Sequence, residues 1–384
     1  CRVSGVNSKT VQYERTILRM VTDVVFDTLD MLKCSGGAFA PRLLVLDFSD
    51  AFFSVPLAKA EQKYFCFFFE GRWYVMLRVA QGSKNGPQVF GRGSAMLGRF
   101  SQGVLDEREA RLNIYTDDPI CSIVTSKRRG DLVIVMLVLI WRALGFRLAY
   151  AKAQLGSVVD WVGHSISASA AWVEAAIKTE FIENFRLQAV EFLDGNVVSR
   201  EVLRSFTGKA NHIARLLWPW RPFLDELWAA IHDFRPSRAP NGCVWTNQVE
   251  TAIHWMLCFI KRTRGVMQLR WTLEYYVSPP ELVTFSFDAS PWGLGGIVTE
   301  HSTITGFFRP RLTTLDEERF KHRIGDHKGQ QTWELLSALV GLRLWSSKWA
   351  GRRCRICVRG DNVGALVAVM KLKAPPGNGR FISR

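Results

Sequence analysis

The stretch Tyr115-Thr116-Asp117-Asp118 places two adjacent acidic residues between two apolar runs, residues 112–114 and 120–124. Both runs have the composition of strands, so the stretch predicts a hairpin that carries the two carboxylates near its tip. A third carboxylate, Asp47, ends another apolar run at residues 43–46. If that strand lies beside the hairpin, the three acids form a set of hard oxygen ligands that suits two Mg²⁺ ions.

The composition is that of a folded, basic protein of more than one domain. The 384 residues exceed one ordinary core, and a hydrophobic content of 48% excludes a disordered chain. Lys and Arg number 50 against 35 Asp and Glu, with a pI near 9.7, which favours a surface that follows a phosphate backbone. The longest apolar run, residues 132–141, is about half of what a bilayer crossing needs, so it predicts a buried helix and no membrane partner.

The eight cysteines are scattered, and only Cys354 and Cys357 form a CxxC pair. One such pair lacks the second half of a zinc site and lies in a strand-like run, so we interpret both residues as buried thiols in a reducing compartment. This interpretation predicts an intracellular protein, either cytoplasmic or nuclear. The chain begins with Cys1 and ends at Arg384 without an evident terminal cap, as expected of a fragment.

Three regions follow one another along the chain. Residues 1–165 mix strands and helices around the carboxylates, residues 166–277 are mainly helical and rich in Trp, and residues 278–384 again alternate strands with helices. The second boundary is placed at Ser278-Pro279-Pro280, because consecutive prolines end a helix. The predicted fold class is therefore α+β.

The segment Asp47-Phe48-Ser49-Asp50-Ala51-Phe52 resembles the first palm motif of retroelement reverse transcriptases. The resemblance implies that Asp47 binds both metal ions and that Asp50 and Ala51 contact the incoming triphosphate through their backbone. It also makes Phe52 the aromatic gate under the sugar, where a ring leaves no room for a 2′-hydroxyl. Without the resemblance, the same residues also fit a strand that runs into a helix with Asp50 as its capping residue, and this alternative stays open.

A second segment, Gln81-Gly82-Ser83-Lys84-Asn85-Gly86-Pro87, predicts a glycine-rich turn that leads into a helix beginning near Pro87. It resembles the second motif of the same family, which implies that Gln81 contacts the sugar or base of the nucleotide. Gly82 allows the backbone to approach the nucleotide closely. A Gln-Gly turn is common by itself, and its position between the two acidic motifs is what favours this interpretation.

The acidic hairpin is the most specific element, because reverse transcriptases use tyrosine, one variable residue and two Asp in such a hairpin. The resemblance implies that Asp117 is the second metal ligand and that Asp118 is its weaker neighbour. A plain acidic turn is the alternative. Pro119 departs from the family pattern, and because it removes a backbone donor at the start of the return strand, it predicts a hairpin wider than usual.

Three segments farther along the chain resemble the last two palm motifs of the family: residues 144–148, 152–155 and 158–166. The resemblance makes Lys152 a proton donor to the departing pyrophosphate and residues 161–166 a primer grip. A lone Lys at a helix end is also a common solvated charge. Upstream, residues 2–7 resemble the end of the fingers segment that precedes the palm, and we expect most of that subdomain to be missing from this chain.

A helix with one apolar and one basic face is predicted from residue 202 to residue 217. Its apolar positions are Val202, Leu203, Phe206, Ala210, Ile213, Ala214 and Leu217, and its basic residues are Arg204, Lys209 and Arg215. The segment resembles the thumb of the same family, which implies contact between the basic residues and the primer–template duplex. A solvated charged face is the alternative. Trp218, Trp220 and Trp228 are interpreted as core residues.

Three acids in the last region follow the order strand-Asp, helix-Glu, strand-Asp: Asp288, Glu334 and Asp361. This order resembles an RNase H-like fold, in which three such acids hold two Mg²⁺ ions, and three unrelated surface acids are the alternative. That family adds a fourth acid later, but no Asp or Glu follows Asp361. We therefore expect an incomplete module with weak or absent cleavage of the RNA strand of a hybrid.

Together these motifs identify the chain as a retrotransposon-type reverse transcriptase. The resemblance implies partial fingers and a right-hand polymerase palm in residues 1–165, a helical thumb or connection in 166–277, and an incomplete RNase H-like domain in 278–384. It further implies RNA-directed DNA synthesis with two Mg²⁺ ions, a primed RNA or DNA template and dNTPs. Two alternatives stay open: an inactive nucleic-acid-binding remnant, and an RNA-copying RNA polymerase, which Phe52 and Tyr115 disfavour.

Overall fold

The computed structural model describes residues 17–233, 239–261 and 266–371, which form two compact units. The strands are β1 (Arg42–Val45), β2 (Cys66–Phe69), β3 (Arg72–Val75), β4 (Ala110–Tyr115), β5 (Asp118–Ile123), β6 (Gln154–Gly156), β7 (Val158–Trp161), β8 (His164–Ala168), β9 (Trp172–Ile177), β10 (Val197–Ser199), β11 (Cys243–Trp245), β12 (Gln268–Thr272), β13 (Glu281–Ser290), β14 (Gly293–Glu300), β15 (Thr303–Phe308) and β16 (Cys354–Arg359). The helices are α1 (Val21–Cys34), α2 (Lys59–Gln62), α3 (Gly86–Gln102), α4 (Lys127–Ala143), α5 (Thr179–Asp194), α6 (Arg200–Leu216), α7 (Arg221–Ile231), α8 (Glu250–Ile260), α9 (Leu273–Val277), α10 (Thr314–Phe320), α11 (Gln330–Leu344), α12 (Ser346–Trp349) and α13 (Val363–Lys371). Unit 1 consists of the residues up to 178 with 268–276, and unit 2 consists of 179–267 with the residues from 277 on.

Unit 1 contains a four-stranded antiparallel sheet, in the order β4-β5-β1-β6, with helices on both faces. Strand β5 is buried along most of its length, and its successive side chains point to opposite faces. Ile123 packs in a cluster with Phe90 of α3 and Trp141 of α4. On the other face, Ser122 accepts a hydrogen bond of 2.8 Å from Thr28 of α1. This mixture of helices with antiparallel sheets confirms the predicted α+β class.

Helix α4 contains the longest apolar run of the sequence and is only half buried. Val133, Leu137 and Trp141 face the core with exposures of 4% or less, whereas Leu132 and Leu139 are 50% and 62% exposed. The prediction of a buried helix is therefore wrong for one face, because the apolar residues continue around the helix while the core covers one side. Among the described residues, every helix falls short of the length and hydropathy that a bilayer crossing requires.

A second antiparallel sheet of unit 1 has the order β12-β9-β8-β7. Strands β7 and β8 are joined by the two-residue turn Val162-Gly163, in which both residues have positive φ, 45° and 74°. Glycine accepts this conformation, but a β-branched Val resists it, so the turn stores strain. The predicted domain boundary after residue 165 falls inside β8, and β12 returns to this unit from beyond residue 267.

A half-buried ionic network ties α9 to the rest of unit 1. Arg111 of β4 donates from Nη1 to Asp27 at 3.0 Å and to Asp30 at 3.1 Å, both on α1. Asn113 donates to the other oxygen of Asp27 at 2.8 Å, and Tyr276 of α9 donates to Asp30 at 2.6 Å. Burial lowers the pKa of Arg111, but its bonds to the two carboxylates outweigh that effect and raise it.

The first part of unit 2 is mainly helical, as predicted, and packs around aromatic side chains. Phe185 of α5 stacks on Phe206 of α6 with ring centroids 4.3 Å apart and meets Trp220 at 5.5 Å. Two predicted core residues are instead exposed: Val202 by 43% and Trp218 by 51%. Val202 lies in the first turn of α6, off the face that packs, and Trp218 lies in a short 3₁₀ helix where the Arg221 guanidinium lies 5.5 Å from its ring centroid.

The last part of unit 2 contains a four-stranded sheet in the order β15-β14-β13-β16, in which β13 is antiparallel to β14 and parallel to β16. Helix α11 packs Trp333 and Ala338 in one cluster with Phe285 and Phe287 of β13. Within β16, Cys354 is half-buried and Cys357 is exposed. The prediction of two buried thiols is wrong because β16 is an edge strand and solvent reaches one side of it.

Candidate active site

Backbone pairing aligns Asp47 with the acidic hairpin. Val45 of β1 pairs with Ile120 of β5, Leu46 donates to the carbonyl of Pro119 at 3.1 Å, and Phe48 donates to the carbonyl of Asp117 at 3.3 Å. Continuing this register puts Asp47 opposite Asp118, and residues directly opposed in an antiparallel pair direct their side chains to the same face. The predicted neighbourhood of the first palm motif and the hairpin thus follows from the sheet.

The hairpin itself is tight. Tyr115 pairs with Asp118 and Ile114 pairs with Pro119, so only Thr116 and Asp117 form the turn. The expectation of a wider hairpin is therefore wrong. Ile114 and Pro119 form the pair next to the closing pair, and in such a pair the backbone N–H and C=O groups point away from the partner strand. A backbone N–H at position 119 would therefore have pointed to β1 rather than to β4. Thr116 has φ 56°, a left-handed conformation that a β-branched residue rarely adopts.

Repulsion among the three carboxylates is visible in their electrostatics. Burial, then the charges of Asp117 and Asp47, raises the pKa of Asp118 to about 6. The pKa of Asp117 is raised too, first by burial and also by Asp47. The Lys152 ammonium lies 2.5 Å from Oδ2 of Asp47, and this bond raises the pKa of Lys152. Raised pKa values mean that the negative charges of these acids repel one another and are poorly solvated. A divalent cation would offset that cost, so these residues fit Mg²⁺.

The elements assigned to the nucleotide contact or precede α3. Asp50 has φ 54° and precedes a 3₁₀ helix, Ala51–Ser54, but its side chain makes no capping bond, so the capping alternative lacks its hydrogen bond. The Phe52 ring lies 5.4 Å from the ring of Phe90 in α3, between centroids. Pro87 occupies the first turn of α3, as predicted, and Gln81 is exposed in the turn before it. Gly82 has φ 84° with open space where a side chain would project.

The second acidic set comes together more closely than the first. Asp288 lies two residues before the end of β13, Glu334 lies in the second turn of α11 and Asp361 follows β16. The parallel pairing of β13 with β16 brings the two Asp to one edge. One carboxylate oxygen from each acid lies within 4.8 Å of the others. In the described part of the chain this is the one group of three potential ligands that meets this distance, and the Asp47 set does not. In that first set, Lys152 binds Asp47 instead.

Glu334 is the acid of this set whose negative charge a bound cation would stabilise most. Its side chain is 2% exposed, its Oε2 has no hydrogen-bond partner, and its Oε1 accepts from Gln330 at 3.1 Å. Burial, together with the charges of Asp288 and Asp361, raises the pKa of Glu334 to about 7. Three carboxylates with an orphaned buried oxygen fit a divalent ion. Gln330 was not among the predicted site residues, although its position one helical turn before Glu334 is the signal that identifies it.

Replacing Glu334 by Gln is expected to stabilise the metal-free protein at pH 8 by about 2 kcal/mol. The folded-state pKa lies above the ordinary value of 4.5, so the stability contributed by the protonated acid is complete below pH 4.5 and is lost as the pH rises through about 7. Urea unfolding across this range measures it. The Glu334→Gln variant should lose less stability than the wild type between pH 4.5 and 8 and gain less from Mn²⁺, since only the Asp117 and Asp118 contributions remain. The exposed-site control Glu318→Gln should behave as the wild type. A wild-type profile that does not fall between these pH values would contradict the assignment.

The basic residues predicted to contact nucleic acid lie on α6. Arg204 and Arg215 are exposed, and Lys209 is half-buried and donates to Oε1 of Gln188 at 2.9 Å. The face opposite the buried stripe of α6 is thus positively charged. The fingers-like segment at residues 2–7 lies outside the described residues.

Comparison with known proteins adds family relationships. Residues 22–166 match the model of the family described as reverse transcriptase (RNA-dependent DNA polymerase). The Gag-Pol polyprotein of avian reticuloendotheliosis virus is 30% identical over 221 residues, which are 54% of this chain and 17% of that polyprotein. The chain therefore spans about a sixth of the length of that relative.

Solved structures of the foamy viral protease-reverse transcriptase are also similar. One, a dRH form in complex with double-stranded DNA, is 16% identical, with coverage of 98% of this chain and 58% of that chain and a TM-score of 0.49. Another, in complex with an RNA/DNA hybrid, is 15% identical, with coverage of 89% and 42% and a TM-score of 0.43.

Proposed function

We propose that this chain is part of a retrotransposon RNA-directed DNA polymerase, because residues 22–166 match the reverse transcriptase family model. The observation that carries the proposal is the backbone ladder that aligns Asp47 with the Asp117-Asp118 hairpin. Its proposed partners are a primed RNA or DNA template and dNTPs. We place the protein inside the cell, in the cytoplasm or the nucleus, because scattered cysteines with a single CxxC pair are typical of a reducing compartment.

In the proposed reaction the primer 3′-hydroxyl releases its proton to water and its oxygen attacks the α-phosphorus of the nucleotide. A new P–O bond forms, and the bond from the α-phosphorus to the bridging oxygen breaks to release pyrophosphate. Asp47 and Asp117, with Asp118 as a weaker neighbour, would hold two Mg²⁺ ions, which lower the pKa of the 3′-hydroxyl and offset the charge of the leaving group. Lys152, whose pKa is raised by Asp47, carries a proton at neutral pH and donates it to the pyrophosphate.

The nucleotide is held by groups on both sides of Phe52. The backbone of Asp50 and Ala51 contacts the triphosphate, and Gln81 contacts the sugar or base while Gly82 permits close approach. Phe52 rests against Phe90 and therefore has a fixed ring position under the sugar. A ring in that position excludes a 2′-hydroxyl and selects deoxynucleotides.

Replacing Phe52 by Val is expected to raise the efficiency of ribonucleotide incorporation by about 10- to 100-fold, because the smaller side chain makes room for the 2′-hydroxyl. Single-nucleotide extension with a dNTP and the matching rNTP, compared as kcat/KM, measures the effect. Phe53→Val is a matched control, since Phe53 is the neighbouring exposed ring. Equal discrimination by wild type and Phe52→Val would remove Phe52 from the sugar site.

Primer extension on an RNA template, with deoxy- and ribonucleotides in parallel reactions, tests the whole proposal. Extension by dNTPs alone supports RNA-directed DNA synthesis. Duplex binding without extension identifies an inactive nucleic-acid-binding remnant instead, and extension by ribonucleotides identifies an RNA polymerase. The intact acids Asp47, Asp117 and Asp118 favour the first outcome.

For unit 2 we propose two supporting roles. The basic face of α6, with Arg204, Lys209 and Arg215, lies along the primer–template duplex as a thumb would. The acids gathered around Glu334 form an RNase H-like site that takes divalent cations, with weak or absent cleavage of the RNA strand. The Mn²⁺ response of the Glu334→Gln variant tests the cation binding without requiring cleavage.

A further inference from the structure

A cavity of about 550 Å³ in unit 1 lies beside the first palm motif. The polar side chains that line it are those of Ser49, Asp50, Ser54, Arg78 and Arg147. The volume is in the range of about 300–1,000 Å³ that small-molecule sites occupy. None of the site residues assigned above, apart from Asp50, lines this space.

Two guanidinium groups give the cavity its chemistry. Arg78 donates from Nη1 to the carbonyl of Ser54 at 3.2 Å, which leaves its other donors available. Arg147 is anchored through its backbone, because its carbonyl accepts from the amide of Ser49 at 2.9 Å. Within the described ranges neither side chain forms an ion pair with a carboxylate. Two such cations on one cavity form an anion site, and the planar guanidinium matches phosphate oxygens in particular.

The cavity is connected to the reacting groups through the backbone. Leu148, next to Arg147, forms a β-bridge with Phe48, and Ala149 donates to the carbonyl of Asp47 at 2.9 Å. The same segment continues to Lys152, which binds Asp47. Arg147 therefore belongs to the segment that carries the proposed proton donor. Asp50, which also lines the cavity, belongs to the segment proposed to contact the triphosphate.

We propose that Arg78 and Arg147 bind the terminal diphosphate of the incoming nucleotide and hold the pyrophosphate before it leaves. This inference rests on the proposed function. Asp50 contributes one negative charge to the same cavity, so the site has a net charge of one positive unit, from two Arg and one Asp. That balance holds a phosphate group weakly, which suits a product that has to depart.

Calorimetric titration of the whole chain with inorganic pyrophosphate, in EDTA at low ionic strength, tests the inference without catalysis. Arg78→Gln and Arg147→Gln are each expected to weaken binding about tenfold, because each removes a charge-assisted hydrogen bond. Asp50→Asn is expected to tighten binding severalfold, because it removes the opposing charge. Arg142→Gln is the matched control: Arg142 is an exposed Arg of α4 that is not among the lining residues, and its substitution should leave the affinity unchanged.

Competition identifies the source of the phosphate groups. A dNTP should displace pyrophosphate, whereas orthophosphate and a single-stranded oligonucleotide should compete at least tenfold more weakly. The inference is overturned if wild type does not bind pyrophosphate, if Arg142→Gln weakens binding as much as Arg147→Gln, if the oligonucleotide competes as well as the dNTP, or if dNTPs fail to displace it. A chain that binds pyrophosphate as described but does not extend primers refutes the proposed polymerase activity and leaves the anion site intact. Thermal melting confirms that each variant is folded.

Discussion

The Asp117→Ala chain is expected to extend an RNA-templated primer at least about 10³-fold more slowly than wild type, since a lost metal ligand removes several kcal/mol of charge stabilisation and each 1.36 kcal/mol is tenfold in rate. Asp117 lies at the tip of a two-residue turn, where its backbone carbonyl accepts from Phe48 next to Asp47. No other carboxylate of the hairpin occupies that position, because Asp118 is the first residue of the return strand and is directed by its pairing with Tyr115.

Single-turnover extension at saturating dNTP measures the loss. Asp131→Ala is the control, because Asp131 is an exposed acid of the same unit whose 2.7 Å bond goes to Arg42 rather than to the site. Asp118→Ala should lose less than Asp117→Ala, in keeping with the role of a weaker neighbour. Extension by Asp117→Ala at the wild-type rate would show that the hairpin does not hold the catalytic ions, and the polymerase assignment of these acids would be abandoned.

The Arg111→Ala substitution is expected to lower the free energy of unfolding of the protein by about 2–3 kcal/mol, somewhat less than the 3–5 kcal/mol typical of a fully buried pair. Arg111 is 25% exposed and bonds two carboxylates at once, those of Asp27 and Asp30. Removing it leaves two partly buried negative charges facing each other. Tyr276 loses part of its anchor as well, because it donates to Asp30.

Urea unfolding monitored by tryptophan fluorescence and circular dichroism measures this loss. Arg108→Ala is the matched control: Arg108 is 79% exposed and its only described ion pair is a 3.6 Å contact with Asp106, so its removal should cost less than about 0.5 kcal/mol. Adding Asp27→Asn to Arg111→Ala should restore part of the lost stability by removing one unpaired charge. Equal effects for Arg111→Ala and Arg108→Ala would mean that the network contributes nothing beyond a surface pair.

The sequence by itself predicted the main elements and the family resemblance. The alternation of apolar residues around Tyr115-Thr116-Asp117-Asp118 predicted the hairpin, the helical spacing of residues 202–217 predicted α6, and the order of the motifs predicted the resemblance to reverse transcriptases that the match of residues 22–166 also shows. These inferences succeed because periodicity and the identity of ligand side chains are local properties. They fail where burial is set by neighbours, as at Val202 and on the exposed side of α4.

Only the tertiary structure decided which distant side chains meet. The pairing of β1 with β5 puts Asp47 beside residues more than sixty positions later, and a one-residue change of register would send the Asp47 side chain to the other face. Lys152 on Asp47, the raised pKa of Glu334 and the two arginines of the cavity likewise depend on contacts between segments far apart in the chain. Such contacts follow from strand register and from burial, which are properties of the packed chain and leave no signal in the residues immediately around each group.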